Sequence, residues 1–268
     1  MAPRHVAHRG GAALWAENSL EAFRGAIASG ARLIEFDVHL TADGNVAVIH
    51  DAALDRTTTG SGAVAAHTVA ELRRLRLKKD DGTLTDAGVP MLDDVLTLAA
   101  PAGVALLVEL KTPGPAVSYT RTGGTVRATP GARYPGLEQK VIAALAKAGV
   151  AERAIVMAFN PAVLAEVRAL APRQPTTLLV DRQHVAGAGA QGAEAVEWAV
   201  EAGATYLGLH HTLCDESVVA AARAAGISVG VFTVNAEAEM RRLAALGVDV
   251  IITDRADLVA KLEREAVP

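Results

Sequence analysis

Short apolar runs recur along the chain. Each is followed by a turn and then by a stretch whose apolar positions take the spacing of an amphipathic helix, usually closed by glycine. Runs at 5–8, 33–38, 104–109, 154–158, 176–180, 206–209, 227–232 and 248–252 predict eight strands. Helices are expected over 137–149, 160–170, 192–203, 215–226, 235–247 and 254–265, and another opens at Asn18-Ser-Leu-Glu21, with Leu20, Phe23 and Ile27 on one face before Gly30. Strand–helix alternation on this scale implies a parallel sheet, and eight units in a chain of this length predict a closed (β/α)8 TIM barrel. An open doubly wound sheet would alternate similarly, but its dinucleotide turn needs G-x-G-x-x-G spacing. The first turn here is His8-Arg9-Gly10-Gly11.

A ninth run, 46–50, reads as a small hairpin extension folding back on the second strand. Two insertions interrupt the alternation, at about 52–90 (with a short helix expected at 69–75) and 113–136, and residues 1–268 read as a single domain. The second insertion is punctuated by Pro113, Gly114, Pro115, Gly123, Gly124, Pro130, Gly131, Pro135 and Gly136, as expected of a long loop. It is either a solvated segment or, following a barrel strand, a border of the active face. In the second case Tyr119, Arg121, Arg127, Arg133 and Tyr134 would grip a larger or anionic head group.

In the second strand, Ile34, Phe36, Val38 and Leu40 alternate with Glu35, Asp37 and His39, which puts both acids on one face. Asp43-Gly44 is a two-residue hairpin signal, and such a turn sets Asp37 opposite His50. A strand face open to solvent would alternate in the same way. Barrel strands, however, are apolar on both faces, so two acids there require a counter-charge. Glu109 and Lys111 close the apolar run 104–109. A third carboxylate at a strand end completes an all-oxygen site for a hard divalent cation, Mg²⁺ or Ca²⁺, with Mn²⁺ also compatible. Lys111 would oppose that cation unless an anion, most simply phosphate, lies between them. Gly10 and Gly11 would let a ligand approach the backbone, and Arg9 offers a fork matched to phosphate oxygens. His8 and His50 are expected on one barrel mouth, where paired imidazoles suit general acid–base chemistry near neutral pH. His39 lies nearer the turn and falls outside this set. His5, His67, His184, His210 and His211 have no such partners.

The charge balance, 26 Lys+Arg against 30 Asp+Glu, and an aromatic content of 3% argue against nucleic acid as a partner, which needs a basic stripe and stacking platforms. Cys214 is the one cysteine, which removes intrachain disulfides and cysteine-rich zinc sites. No apolar run approaches ~18 residues, so no integral membrane segment is expected. The opening residues lack a basic start followed by a long apolar stretch, and the expected compartment is the cytoplasm. The sequence is silent on oligomeric state.

Taken in order, His8-Arg9-Gly10, Glu17-Asn-Ser-Leu-Glu-Ala-Phe23, Ile34-Glu-Phe-Asp-Val38, Val48-Ile-His-Asp51, Leu54-Asp-Arg-Thr-Thr58, Pro90-Met-Leu92, Val108-Glu-Leu-Lys111, Phe232-Thr-Val-Asn235 and Ile251-Ile-Thr-Asp254 resemble the glycerophosphodiester phosphodiesterase family. Its fold is a (β/α)8 barrel related to that of phosphatidylinositol-specific phospholipase C. The resemblance implies that His8 and His50 are the acid–base pair and that Glu35, Asp37 and Glu109 bind the divalent metal. Arg9 and Lys111 would contact phosphate. Ala16, Ser19, Ala158, Phe232 and Arg255 depart from the family pattern at positions outside the expected metal and histidine set. Phe232 is expected to border the pocket as a substrate contact.

The implied reaction is metal-dependent hydrolysis of a glycerophosphodiester such as glycerophosphocholine or glycerophosphoethanolamine, a small-molecule substrate, to sn-glycerol 3-phosphate and an alcohol. The nucleophile is water or the glycerol 2-hydroxyl, the latter through a cyclic phosphate. The same site would also serve a lysophospholipase D-like enzyme, which needs an apolar trough for an acyl chain. A non-catalytic barrel that binds phosphate esters is a third reading, but it has no need of two titratable imidazoles.

Overall fold

The computed structural model describes residues 2–265. The strands are β1 (Arg4–Ala7), β2 (Leu33–Leu40), β3 (Val46–Val48), β4 (Ala105–Leu110), β5 (Val117–Thr122), β6 (Thr125–Pro130), β7 (Ala154–Ala158), β8 (Thr176–Val180), β9 (Tyr206–His210), β10 (Ser228–Phe232) and β11 (Val250–Thr253). The helices are α1 (Leu20–Ala28), α2 (Val69–Leu72), α3 (Leu92–Ala102), α4 (Leu137–Lys147), α5 (Pro161–Leu170), α6 (Arg182–Ala188), α7 (Glu194–Glu201), α8 (Glu216–Ala225), α9 (Glu237–Leu246) and α10 (Ala256–Glu265). Strands β1, β2, β4, β7, β8, β9, β10 and β11 pair in parallel in that order, and β1 pairs with both β11 and β2, so the sheet closes. The result is the expected (β/α)8 barrel. Ser19 opens α1 by accepting the Ala22 N–H (3.0 Å), and Asn160 and Asp215 cap α5 and α8 likewise. Helix α6 has no counterpart among the helices expected from the sequence. It is short, and the Asp181 side chain starts it.

Alternation along the strands separates the interior into layers. Val6, Leu33, Leu107, Met157, Leu179, Val250 and Ile252 pack together inside the barrel. At Gly208 a Cβ would stand 2.5 Å from Leu179 Cδ2, so glycine keeps this layer from overfilling. Two residues further along six of these strands, on the same face, stand His8, Glu35, Glu109, Phe159, Asp181 and Asp254. The barrel is thus oily in the middle and polar at its C-terminal mouth.

The extension after β2 is one residue out of the expected register. Val38 pairs with Val48, His39 with Ala47 and Leu40 with Val46. The turn holds three residues, Ala42-Asp43-Gly44, because the Thr41 carbonyl accepts from Gly44 N (3.0 Å) and Thr41 N donates to the Asn45 carbonyl (2.9 Å). Gly44 takes the left-handed position (φ 75°) that such a loop demands. Thr41 selects this turn over the two-residue one, since its hydroxyl accepts from Asn45 N (2.8 Å) and donates to the Asp43 carboxylate (2.6 Å). Asp37 therefore does not oppose His50. Its carbonyl accepts from Ile49 N (3.0 Å), and His50 follows β3 as part of the loop.

Residues 52–90 rest on a small core of their own that includes Leu54, Val64, Leu72 and Leu77. The helix expected at 69–75 ends at Leu72. Residues 113–136 are not an irregular loop, because β5 and β6 form a hairpin there. Tyr119 stacks on Trp198 with ring centroids 4.1 Å apart at 16°. Arg121 pairs with Glu194, Arg133 with Glu138 (2.9 Å), and Tyr134 bonds His39 (3.0 Å). Arg127 borders an outer groove beside Trp198 and Glu201. None of these five residues lines the mouth cavity, so of the two alternatives for this segment the head-group grip is the one the geometry does not favour. The Tyr119 hydroxyl is buried without a hydrogen-bond partner. Tyr119→Phe removes that unpaired group and keeps the stacked ring, so it is expected to stabilise the fold by about 1 kcal/mol in denaturant unfolding. A lower unfolding midpoint would contradict this.

Candidate active site

Glu35, Asp37 and Glu109 offer carboxylate oxygens within 4.8 Å of one another. Asp37 is the direct neighbour of Glu109 across the β2–β4 ladder, and Glu35 lies two residues earlier on the same face. All three are buried. Asp37 accepts from Asn18 Nδ2 (2.8 Å) and pairs with Lys111 Nζ (2.9 Å) and Arg9 Nε (3.4 Å). Lys111 Nζ also donates to Glu109 Oε1 (2.5 Å). Glu35 accepts the Arg9 backbone N–H at Oε2 (3.0 Å), whereas its Oε1 is buried with no hydrogen-bond partner.

The two β2 acids are treated unequally. Burial, reinforced by the Asp37 and Glu109 charges, pushes Glu35 well above the usual carboxylate range. Burial acts on Asp37 too, but Lys111 and Arg9 outweigh it and hold Asp37 well below that range. Lys111 and Arg9 would each be lowered by burial, and the surrounding carboxylates raise both instead. With Glu35 ionised, two cations against three acids would leave one negative charge uncompensated, and the orphaned Glu35 Oε1 marks where. An oxygen-only donor set with that deficit fits a hard divalent cation.

The backbone around the triad is constrained. Arg9 (φ 51°) and Asn18 (φ 57°) are the two left-handed non-glycine residues among those described. This turn lets Arg9 N reach Glu35, and lets Asn18 take Asp37 N at Oδ1 (3.3 Å) while donating to its carboxylate. The adjacent glycines do not serve ligand approach as expected. A Cβ on Gly10 would meet Ala22 Cβ at 2.7 Å, and one on Gly11 would meet Ala256 Cβ at 2.9 Å, so both let helices close on the turn.

His8 Nδ1 lies 2.6 Å from Asp254 Oδ1, and His50 Nδ1 lies 2.6 Å from Asp51 Oδ1. A carboxylate accepts, so each ring carries its proton at Nδ1 and presents Nε2 away from its partner. Asp254 is held in turn by Asn235 Nδ2 (2.7 Å). Asp51 accepts from Arg56 (2.6 and 3.0 Å), which also grips Glu17 (2.8 and 2.9 Å), and Glu17 accepts from Arg9 (3.1 Å). Hydrogen bonds from His50 and then Arg56 keep Asp51 far below its ordinary value. His39 enters this arrangement despite its place near the hairpin turn. Burial lowers it to about 4, so its ring is neutral. It donates from Nε2 to the His50 carbonyl (2.9 Å) and accepts the Tyr134 hydroxyl at Nδ1 (3.0 Å).

His8, Arg9, Glu35, His50, Glu109 and Lys111 line one cavity of about 280 Å³ at the mouth, and its far wall includes Phe159, Asp181, His210 and Phe232. The expected site residues therefore meet in one place. Asp37 sits beneath the floor with no exposed surface. His210 faces this cavity, contrary to its reading as a bystander.

Residues 8–258 match the model of the glycerophosphoryl diester phosphodiesterase family. Over 261 residues the chain is 31% identical to a glycerophosphodiester phosphodiesterase of Caldanaerobacter subterraneus subsp. tengcongensis, with 97% of each chain covered. The chain belongs to the glycerophosphoryl diester phosphodiesterase family. It is an enzyme of that family. A family structure from Agrobacterium tumefaciens superposes with a TM-score of 0.83 at 26% identity, covering 99% of this chain and 98% of that one. A phosphodiesterase of Oleispira antarctica, solved with the product sn-glycerol-3-phosphate, shares the fold at a TM-score of 0.77 and 24% identity, covering 98% and 97%. No helix among the described residues is long and apolar enough to cross a membrane.

Beyond the expected set, this family member brings Glu17, Asn18, Asp51, Arg56, Asn235 and Asp254 to the site as partners of its charged groups. Asp51 was signalled by its adjacency to His50, and Asp254 by its place at the end of the last strand. Arg56 was signalled only by its place in Leu54-Asp-Arg-Thr-Thr58, and its reach to Glu17 depends on how the 52–90 segment folds.

Proposed function

We propose that this chain hydrolyses glycerophosphodiesters to sn-glycerol 3-phosphate and an alcohol, with His8 and His50 as the acid–base pair. Glu35, Asp37 and Glu109 are read as the ligands of one divalent cation, Mg²⁺ or Ca²⁺ (Mn²⁺ also fits), and residues 1–268 as a single domain in the cytoplasm. The reading is carried by two imidazoles lining one cavity beside the acidic triad, each with a carboxylate behind Nδ1. A bound divalent cation would draw charge from a phosphoryl oxygen and so favour attack at phosphorus.

The protein groups supply the rest. Arg9 and Lys111 face the phosphate and offset the charge that grows on its oxygens in the transition state. One imidazole, unprotonated at Nε2, takes the proton of the attacking hydroxyl. The other, protonated at Nε2, passes that proton to the alcohol oxygen as the P–O bond breaks. Asp51 and Asp254 keep the rings in the required tautomer, and Phe232 walls the substrate. Asp254→Asn would favour the wrong tautomer of His8. It is expected to lower kcat by about 10²-fold with little change in KM, on the order of effects of orienting carboxylates. An unchanged kcat would remove Asp254 from this role.

A lysophospholipase D-like reading fits less well, since a cavity of about 280 Å³ admits a small diester and leaves an acyl chain in water. The test is to assay glycerophosphocholine beside lysophosphatidylcholine with each ion, reading released glycerol phosphate and choline. Turnover of the first alone is expected. Preference for the second, or tight binding without turnover, would contradict the proposal.

A further inference from the structure

The mouth cavity has two chemically different sides. In the closed order of eight strands, β8, β9 and β10 lie four positions away from β1, β2 and β4, directly across the barrel. The near side carries the triad with Arg9 and Lys111. The far side carries Asp181 at the end of β8, His210 at the end of β9 and Phe232 at the end of β10, with Phe159 beside them from the end of β7.

Asp181 is half-buried. Its carboxylate caps α6, accepting the Arg182 and His184 backbone N–H groups, and pairs with no cationic side chain among the described residues. Phe159 and Phe232 meet edge to face, centroids 6.1 Å apart at 89°, and the His210 ring stands 6.1 Å from Phe232 at 77°. Burial, and after it the nearby His211 and Arg182 charges, lower His210 and favour its neutral form, so among the residues lining this wall Asp181 carries the formal charge. A carboxylate with no cationic side-chain partner, beside a corner of rings, is complementary to a cation with a weakly hydrated surface. Such a group gains from ring faces within about 6 Å and from the carboxylate at once. A neutral polyol would find two polar groups and three ring surfaces there. An anionic alcohol would meet Asp181 directly.

We propose that this wall is the subsite for the alcohol part of the substrate and that Asp181 makes the enzyme select diesters of an ammonium-bearing alcohol. The inference rests on the hydrolytic reading of the near side and adds the chemistry of the leaving group. Asp181 acts here as a specificity-determining residue, and His8 and His50 retain the proton transfers.

The test compares kcat/KM for glycerophosphocholine and for glycerophosphoglycerol, whose alcohol is neutral, in the metal-loaded wild type and in Asp181→Asn. Asparagine still caps α6, so the variant keeps the helix while removing the charge. The wild type is expected to favour the choline diester by 10-fold or more, and the variant to lose most of that ratio through the choline diester. A wild-type ratio near one would overturn the inference while leaving the phosphodiesterase reading standing. Equal loss on both diesters would also overturn it, since Asp181 would then hold the shared glycerol. Turnover of neither diester by the wild type would instead strike the hydrolytic reading, and this inference with it.

Discussion

His50→Ala is expected to lower turnover of glycerophosphocholine by about 10³-fold while shifting the unfolding free energy by no more than about 1 kcal/mol. The two effects separate because of where the ring sits. Its side chain is 31% exposed, so truncation opens little buried space. Asp51 would still have Arg56, and the hairpin would still be held by Thr41 and its turn. What disappears is the proton acceptor or donor at Nε2. His8→Ala should cost a similar factor, with Asp254 left to Asn235. The double variant should fall little below the weaker single one, because groups that act on one transfer do not contribute independently. Initial rates of glycerol phosphate release, alongside denaturant midpoints, measure both quantities. A double variant with near-wild-type turnover would exclude the pair from catalysis.

Removing divalent ions is expected to abolish turnover and to change how stability depends on pH. In the ion-free protein Glu35 is raised well above its ordinary value, mainly by burial. The native state then holds a proton that the unfolded chain releases. The stability this confers is full below the unfolded value, about 4.3, and drains away as pH rises through the folded value. Asp37 is shifted the opposite way, so its contribution is present above about 3.9 and is lost as pH falls. The two windows lie on opposite sides of the carboxylate range. His39, lowered to about 4, adds a contribution that rises with pH up to about 6.5, so the part of the slope that the ion removes is the one belonging to Glu35. A bound cation at Oε1 favours the ionised form, which should flatten that slope and expel the proton on binding. At 100 times its dissociation constant the ion should add about 2.7 kcal/mol to folding stability. Titration calorimetry in two buffers of different ionisation enthalpy tests the coupling. Equal heats would show that no proton leaves.

The barrel was readable because its strands and helices each declare themselves locally. Eight apolar runs became eight parallel strands in the expected places, and the alternation of Glu35, Asp37 and His39 placed the acids on one face, as found. The misreadings have two causes, a local side-chain bond and long-range packing. The hairpin register depends on the Thr41 hydroxyl, a side-chain bond that the Asp43-Gly44 signal does not reveal. The 113–136 segment looked irregular by composition, yet Tyr119 finds Trp198, which lies 79 positions on in the chain. Gly10 and Gly11 are shaped by α1 and α10, and His210 and Asp181 reach the cavity because the barrel closes. Contacts between distant segments set all of these features except the hairpin register, and periodicity carries no record of them. The charged partners behind the imidazoles fall on both sides, since Asp51 and Arg56 lie close to His50 in the chain, whereas Asp254 reaches His8 across 246 positions.

The most direct measurement is a crystal structure of the wild-type protein soaked with Mn²⁺ and sn-glycerol 3-phosphate, with the ion located by anomalous scattering. The expected result is one peak within bonding distance of Glu35, Asp37 and Glu109, and a phosphate between that ion and the Nε2 atoms of His8 and His50. An ion bound elsewhere, or a phosphate out of reach of both rings, would contradict the account.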